Sequence, residues 1–319
     1  MNLTELVKYK NLLEKLDLAE SRQLIEILLS QFSNNLNTYN IDFNNLKNNI
    51  DNQSKTIIKN LDGMYQDLHQ FKLSLTQIIS NAEIFALTEG SERIYSEGLG
   101  DTSSYKLDRD RFKNLLYDTD TYNLFIHRIT EYTSWKYPGL HLGPRLGDIT
   151  NCIVDLDPLY LVDDNEDMFV EIKQKWTPDY QRRLRYYIAK EQEENPIADL
   201  PASQIGFIIA VDYFNFRPLR LIKQYLSGMF SALRPGGTAM FTFNNCDYPI
   251  GVDNFNNGYY TYTPGHLVKD ACTDLGFKIL ASFDLDNNVS WLEIQKPGTI
   301  TSLKGGQNLA AIKYLGENI

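Results

Sequence analysis

The first part of the chain repeats its apolar residues at helical spacing. Leucine and isoleucine residues recur over 12–29 in a pattern that fits one or two amphipathic helices. A sharper pattern then alternates steps of four and three through Ile57, Leu61, Met64, Leu68, Phe71, Leu75, Ile78, Ala82 and Phe85. This heptad repeat predicts a long helix with a coiled-coil seam. The seam either pairs with a second copy of the chain or folds back on residues 12–29. We favour a homo-oligomer through residues 43–85.

The helical pattern breaks and then returns before the second half of the chain. Residues 87–106 are polar and contain glycines, which predicts a linker or loop. Residues 107–135 again place apolar side chains at helical spacing, and we expect them to cap the domain that follows. We therefore divide this part into an all-α, coiled-coil-forming oligomerisation region (1–95) and a linker with a capping helix (96–136).

From residue 137 onward, short apolar runs alternate with amphipathic stretches, which is typical of strands and crossover helices. Strands are predicted at residues 139–142, 159–162, 184–188, 206–211, 238–243, 277–285 and 290–295. Helices are predicted at 148–154, 166–176, 219–233 and 263–275, the third ending at the RPGG of residues 234–237. We therefore expect an α/β domain over 137–298, with a seven-stranded open sheet that ends in a hairpin, followed by a tail (299–319).

Composition supports this division and narrows the classes of partner. All eleven prolines lie at or after Pro138, so the helix-breaking residue is absent from the first part. The net charge of −10 argues against nucleic acid and anionic membranes as partners. No run approaches the roughly 20 apolar residues of a membrane span. Three widely spaced cysteines without a CxxC pair fit a reducing compartment and predict no metal site. We expect a soluble cytoplasmic protein, or a virion component if a phage encodes it.

Two features could hold a nucleotide-like ligand at the carboxyl ends of the strands. The stretch LHLGPRLGD (140–148) follows the first predicted strand and places Gly143 and Gly147 in one turn. Glycine lets a ligand approach the backbone closely because it has no Cβ. The second predicted strand ends in Asp163 and Asp164. A carboxylate offers two hydrogen-bond acceptor oxygens.

Further stretches follow in a characteristic order: DLP (199–201), GFIIAVDYFNF (206–216), LRPGG (233–237), FTFNN (241–245) and WLEIQKPG (291–298). In this order residues 135–298 resemble the class I S-adenosylmethionine-dependent methyltransferases. The resemblance implies a Rossmann-like sheet and S-adenosyl-L-methionine as cofactor. It assigns the glycine turn to the methionine part and Asp163, or Asp164 in its place, to the ribose. The implied cofactor-binding residues are Gly143, Arg145, Gly147, Asp163, Asp164, Asp199, Leu200 and Asp212.

Three positions depart from the family pattern. His141 stands where an acidic residue commonly precedes the turn, and Arg145 replaces the middle glycine. Asn195 and Pro196 align near the third strand, where an acid often contacts adenine. Two functions therefore stay open: a methyltransferase, or a catalytically inert methyltransferase-like domain that serves as a structural, assembly or binding module, for example in a phage particle.

The methyl acceptor is constrained only in class. Asp212-Tyr213-Phe214-Asn215 lacks the two prolines of the motif by which related enzymes methylate amino groups of bases. We therefore favour a small molecule, a glycan or a protein group over nucleic acid. The candidate catalytic residues are Asp212, Asn215 and His266, of which His266 would be a general base. The candidate substrate contacts after the fifth strand are Asn244, Asn245, Tyr248 and Tyr260.

Overall fold

The structure is a computed structural model that describes residues 44–98, 119–145, 147, 149–284 and 289–298. The chain divides into two compact units, Met1–Ile84 and Phe85–Ile319. The interpretations of residues 12–29, 107–118 and 299–319 lie outside the described residues. In the first unit, the long helix expected from the heptad pattern is present as α1, Asn44–Phe85.

The predicted linker is wrong over its first part, which is helical. A π-helical turn, Ala86–Gly90, follows α1 and leads into α2, Ser91–Gly98. Gly90 allows this segment to pack closely, because a Cβ there would lie 2.7 Å from the Phe255 ring. Ser91 is buried and its Oγ accepts a hydrogen bond from the backbone N–H of Tyr262 at 2.9 Å. Ser91 and Tyr95 bond to the α/β domain, and composition alone could not reveal these contacts.

A helix lies within the predicted helical range 107–135, as α3, Thr119–Tyr132. Phe125 and Ile129 of this helix are buried, and the Phe125 ring meets the Trp291 ring edge-on with centroids 5.0 Å apart. Arg128 donates from Nε to Oε1 of the buried Glu293 at 2.9 Å. The helix is therefore attached to the sheet by both apolar packing and a partly buried ion pair.

The seven predicted strands and the closing hairpin are confirmed. The strands are β1 Gly139–Leu142, β2 Leu159–Asp163, β3 Leu184–Ile188, β4 Ile205–Ala210, β5 Leu233–Asn244, β6 Lys278–Asp284 and β7 Val289–Gln295. They form one sheet in the order β3-β2-β1-β4-β5-β7-β6. Strands β1 to β5 run parallel, and β7 is antiparallel to both of its neighbours. The order reverses between β1 and β4, where such sheets bind ligands.

The remaining helices cover both faces of the sheet. They are α4 Asp167–Lys175, α5 Pro178–Gln181, α6 Leu219–Ala232, α7 Pro249–Asn256 and α8 Gly265–Asp274. Short 3-10 turns lie at Thr150–Ile153 and Phe214–Phe216. Two apolar clusters form the core, and the β4 residues Ile208 and Ile209 lie in different ones. This two-sided burial explains the unbroken apolar run of β4. Among the described residues, no helix is long and apolar enough to cross a membrane.

Two local predictions are corrected. Residues 234–237 (RPGG) belong to strand β5 rather than to the end of the helix, because α6 ends at Ala232 and β5 begins at Leu233. A register irregularity between Ile205 and Phe207 accommodates the extra residues, and Gly236 adopts φ 77°. Helix α7 lies between β5 and α8, where the sequence pattern predicted no helix. Its first residue is Pro249, a position that proline favours because its fixed φ suits the first helical turn.

Candidate functional site

The turn after β1 has the backbone conformation of a ligand-binding turn, but a side chain fills the space beside its first glycine. Gly143 and Gly147 adopt left-handed φ values of 65° and 78°. The Gly143 N–H donates to the Val162 carbonyl at 2.9 Å, which ties the turn to β2. A Cβ added to Gly143 would collide with the Tyr213 ring. The space beside this glycine is therefore taken by a side chain of the protein.

Arg145 links this turn to the end of β4. Its Nη2 lies 3.0 Å from Oδ2 of the buried Asp212 and donates to the Asp212 carbonyl at 2.8 Å. Asn215 donates to the same carboxylate, and the Asp212 N–H donates to Thr242 Oγ1 at 2.7 Å. Arg145 and Asp212 both adopt left-handed backbone conformations, with φ 45° and 53°. The two candidate catalytic residues after β4, Asp212 and Asn215, thus lie together, and Asp212 is already paired with Arg145.

The two acids that end β2 have different surroundings. Asp163 is buried and accepts a hydrogen bond from the Asn165 N–H at 3.1 Å. Burial, and secondarily the charge of Asp164, raises the pKa of Asp163 to about 7. Asp164 points to Arg217, whose Nη2 lies 2.8 Å from Asp164 Oδ1.

Arg217 joins the carboxyl ends of three strands. This fully buried guanidinium binds Asp164 beyond β2, and through Nε it binds Glu191 Oε1 beyond β3 at 2.6 Å. Its Nη1 donates to the Tyr213 carbonyl beyond β4 at 2.8 Å, and its Cζ lies 3.4 Å from the Tyr213 ring centroid. We refer to the six charged residues of this edge as the strand-end cluster: Arg145, Asp163, Asp164, Glu191, Asp212 and Arg217.

Glu191 receives donors from two further elements. Tyr225 of α6 donates to its Oε1 at 2.7 Å, and Tyr95 of α2 donates to its Oε2. Burial raises the pKa of both tyrosines, so both hydroxyls stay protonated donors. Helix α2 is thereby attached to the strand-end cluster through a charged residue.

The remaining predicted cofactor residues lie elsewhere. Asp199 forms a half-exposed ion pair with Lys190, at 2.8 Å between Oδ2 and Nζ. Leu200 is buried within the apolar cluster that includes α6. The structure therefore brings Asp163, Asp164 and Asp212 to the strand-end cluster and gives Asp199 and Leu200 other neighbours.

Sequence reasoning missed Glu191, Arg217 and the role of Tyr213. Glu191 lies three residues after the end of β3, so a search for acids within three residues of each strand end would have found it. The search looked instead near Asn195, whose side chain caps the next turn by accepting from the Ile197 N–H at 3.1 Å. Arg217 has no comparable signal, because an arginine just before a helix usually faces solvent.

The predicted substrate residues at the end of β5 hold neighbouring loops. Asn244 donates to the Gly251 and Thr261 carbonyls, both at 3.0 Å. Asn245 donates to Ser290 Oγ at 2.7 Å and accepts from the Gly265 N–H at 3.1 Å. The other two predicted contacts are tyrosines: exposed Tyr248 donates to Asp284 at 2.6 Å, and buried Tyr260 meets the Phe216 ring edge-on.

The two histidines of interest have opposite environments. His266 is exposed at the start of α8, and its Nδ1 lies 2.7 Å from Asp247 Oδ1. His141 is buried on β1, with Nδ1 3.0 Å from Thr150 Oγ1. Burial, and secondarily the charge of Arg145, lowers the pKa of His141 to about 3. His141 is therefore a neutral core residue.

The strand-end cluster does not fit S-adenosylmethionine as it stands. The resemblance assigns the methionine part to the Gly143 turn and the ribose to an acid after β2. Tyr213 fills the space beside Gly143, and Arg217 occupies the Asp164 carboxylate. Asp163 is buried with a raised pKa, and Asp212 pairs with Arg145. Tyr213, Arg217 and Arg145 thus occupy three of the positions that the resemblance assigns to the cofactor.

Comparisons with known proteins give matches among solved structures only. No family model matches the chain, and no match is found among curated proteins. A methyltransferase from Haloferax volcanii in complex with a methyltransferase activator is 12% identical, with 62% of this chain and 95% of that chain covered and a TM-score of 0.48. A SAM-dependent methyltransferase from Aquifex aeolicus is 14% identical, with 61% and 98% covered and a TM-score of 0.45.

A third solved structure is geranyl diphosphate C-methyltransferase from Streptomyces coelicolor, 6% identical, with 58% of this chain and 84% of that chain covered and a TM-score of 0.47. The fold is assigned from the chain's own sheet. Five parallel strands in the order β3-β2-β1-β4-β5 are extended by an antiparallel β7 inserted between β5 and β6. This is the topology that the sequence resemblance implied, so residues 139–295 have a class I methyltransferase-like fold.

Proposed function

We propose that this protein is a methyltransferase-fold module that no longer transfers methyl groups and acts instead through binding or assembly. The observation that carries the proposal is the position of Arg217. Its buried guanidinium pairs with Asp164 and Glu191, the acids that follow β2 and β3. The positive charge of Arg217 thus pairs with the carboxylates to which a cofactor would hydrogen-bond.

Displacing Arg217 would be costly. Breaking a buried ion pair by removing one partner costs about 3–5 kcal/mol, because the other charge is left uncompensated. Ribose hydroxyls are neutral and could replace the hydrogen bonds to Asp164 but not the positive charge. At about 1.4 kcal/mol per tenfold change, this cost lowers cofactor affinity by roughly two to four orders of magnitude.

The glycine turn supports the same proposal independently. Tyr213 packs where a Cβ of Gly143 would lie, and Arg145 spans from the turn to Asp212. The cofactor would have to displace an aromatic ring and a second buried ion pair at this end. Two separate obstructions therefore act at the two ends of the same site.

The alternative is an active S-adenosylmethionine-dependent methyltransferase with a small molecule, a glycan or a protein group as acceptor. The left-handed Gly143 and Gly147 and the acid at the end of β2 favour it. It requires Arg217 and Tyr213 to leave their positions when the cofactor binds. The acceptor class would be the same as that inferred from the sequence.

Calorimetric titration of the full chain with S-adenosylmethionine, and separately with its demethylated product, tests the proposal. We expect no binding heat up to about 1 mM ligand. Micromolar binding that is weakened by Asp164→Asn, and unaffected by Asp179→Asn at an exposed position, would overturn the proposal and establish a cofactor site. A methyltransferase of the same fold serves as the positive control for ligand quality.

A further inference from the structure

Helix α1 exposes a ridge of large apolar side chains at every seventh position. Met64, Phe71, Ile78 and Phe85 are 68%, 60%, 51% and 52% exposed. Leu68 lies beside this ridge and is 38% exposed. Single exposed apolar residues are ordinary, whereas a contiguous exposed apolar patch marks an interaction surface. The ridge extends over about 32 Å at 1.5 Å per residue.

A separate stripe of α1 is buried within the chain. Leu75 and Ile79 have exposures of 8% and 2%. At 100° per residue this stripe lies next to the ridge on the helix surface rather than on it. The chain therefore already covers one apolar stripe of α1 and leaves the seven-residue ridge exposed. The heptad pattern seen in the sequence thus belongs to two adjacent surfaces.

We propose that the ridge is the interface with a second copy of this chain, with the two α1 helices parallel and in register. Side chains at a seven-residue repeat interlock with a helix of the same period, and a second copy supplies that period along the whole ridge. The flanking charges agree with this arrangement. In a parallel pair, Asp67 of one copy lies across the interface from the partner's Lys72, five positions later, which is the usual salt-bridge spacing.

Self-association does not depend on whether the strand-end cluster accepts a cofactor. The ridge lies in α1, whereas the cluster is formed by residues of the sheet ends. A failure of either proposal leaves the other intact. If both proposals hold, the helical region joins two or more copies of the α/β domain into one assembly.

Light scattering of the full chain, with matched glutamate substitutions, tests this interface. Ile78→Glu lies on the ridge, whereas Leu73→Glu lies on the opposite side of α1, and both side chains are 51% exposed. We expect the unmodified chain and Leu73→Glu to have at least twice the mass of one chain. We expect Ile78→Glu to have the mass of one chain with an unchanged circular dichroism spectrum.

A cysteine variant gives a readout that does not depend on tolerance of a buried charge. We expect Ile78→Cys to form a disulfide-linked dimer under mild oxidation, and Leu73→Cys to stay unlinked. A monomeric unmodified chain at about 50 µM would overturn the proposal and indicate that residues 1–43 cover the ridge. Equal masses for the two glutamate variants, or no cross-link in Ile78→Cys, would also overturn it.

Discussion

Arg217 changes what the acids at the strand ends can do. Asp164 and Glu191 lie where a methyltransferase fold would use acids for its cofactor, but both are paired with one buried guanidinium. Tyr95 and Tyr225 complete the hydrogen bonding of Glu191. Buried carboxylates need such partners, because an isolated buried charge is very unfavourable. The strand-end cluster is therefore satisfied by the chain itself.

Asp163 is the member of this cluster whose protonation should affect stability. Its pKa of about 7 lies well above the ordinary value, so the folded state binds a proton that the unfolded state releases between about pH 4 and pH 7. The stability contributed by protonated Asp163 is complete below pH 4 and is lost as the pH rises to about 7. Asp163→Asn removes this loss, because an asparagine stays neutral.

We therefore expect Asp163→Asn to match the unmodified chain near pH 4 and to exceed its unfolding free energy at pH 8 by at least about 1 kcal/mol, since one pKa unit equals about 1.4 kcal/mol. Urea denaturation at several pH values measures the difference. Asp179→Asn, at an exposed position, should show none of it. If Asp163→Asn were less stable than the unmodified chain at pH 8, Asp163 would not be a buried carboxyl group with a raised pKa.

The sequence predicted where the site residues lie along the strands but not which side chains they contact. Gly143 follows β1, Asp163 ends β2 and Asp212 follows β4. Their functions could not be inferred, because Arg217 and Tyr213 come from the segment between β4 and α6. Whether such side chains turn inward depends on tertiary packing, and a single sequence carries no periodic signal for it.

Among the elements, α2 is the one that the polar sequence concealed. It is attached by the Tyr95 hydrogen bond to Glu191, and its Glu92 pairs with Arg220 at 3.0 Å. Hydrogen bonds to charged groups contribute about 1.5–3 kcal/mol when buried, and exposed ion pairs contribute less than about 1 kcal/mol. Tyr95 should therefore contribute more than Glu92 to holding α2 in place.

We expect Tyr95→Phe to lower the unfolding free energy by about 1.5–3 kcal/mol, because Glu191 loses a donor. It should also speed amide hydrogen exchange across Ser91–Gly98. Tyr248→Phe is the matched control: it too removes a tyrosine–carboxylate hydrogen bond, but at an exposed position, so a loss below about 1 kcal/mol is expected. Equal losses in the two variants would show that Glu191 does not hold α2.

The strands were the most predictable elements. The residues of β4 are apolar throughout and nearly all buried, so this strand can be predicted from the sequence without tertiary information. The bounds of β5 were less predictable, because residues 234–237 pair within the sheet despite a proline and two glycines. Helix α7 and the π-helical turn are short, and their polar or proline-containing sequences resemble loops.

For the whole molecule, two independent features point away from ordinary enzyme design. The α/β unit fills its ligand edge with its own charged side chains, and α1 presents an exposed apolar ridge at coiled-coil spacing. The first feature supports an inert methyltransferase-like domain, and the second supports its presentation in several copies.

The Arg217 guanidinium itself gives the most direct test of the closed strand-end cluster. In chain labelled with ¹⁵N-arginine, we expect a slowly exchanging Nε–H resonance that disappears in Arg217→Lys, because this N–H donates to buried Glu191. We expect 1 mM S-adenosylmethionine to leave this resonance and its exchange rate unchanged. A resonance that shifts or exchanges rapidly on addition of the cofactor would show that the strand-end cluster opens to bind it, and the absence of a protected Arg217 signal would show that the cluster is not closed.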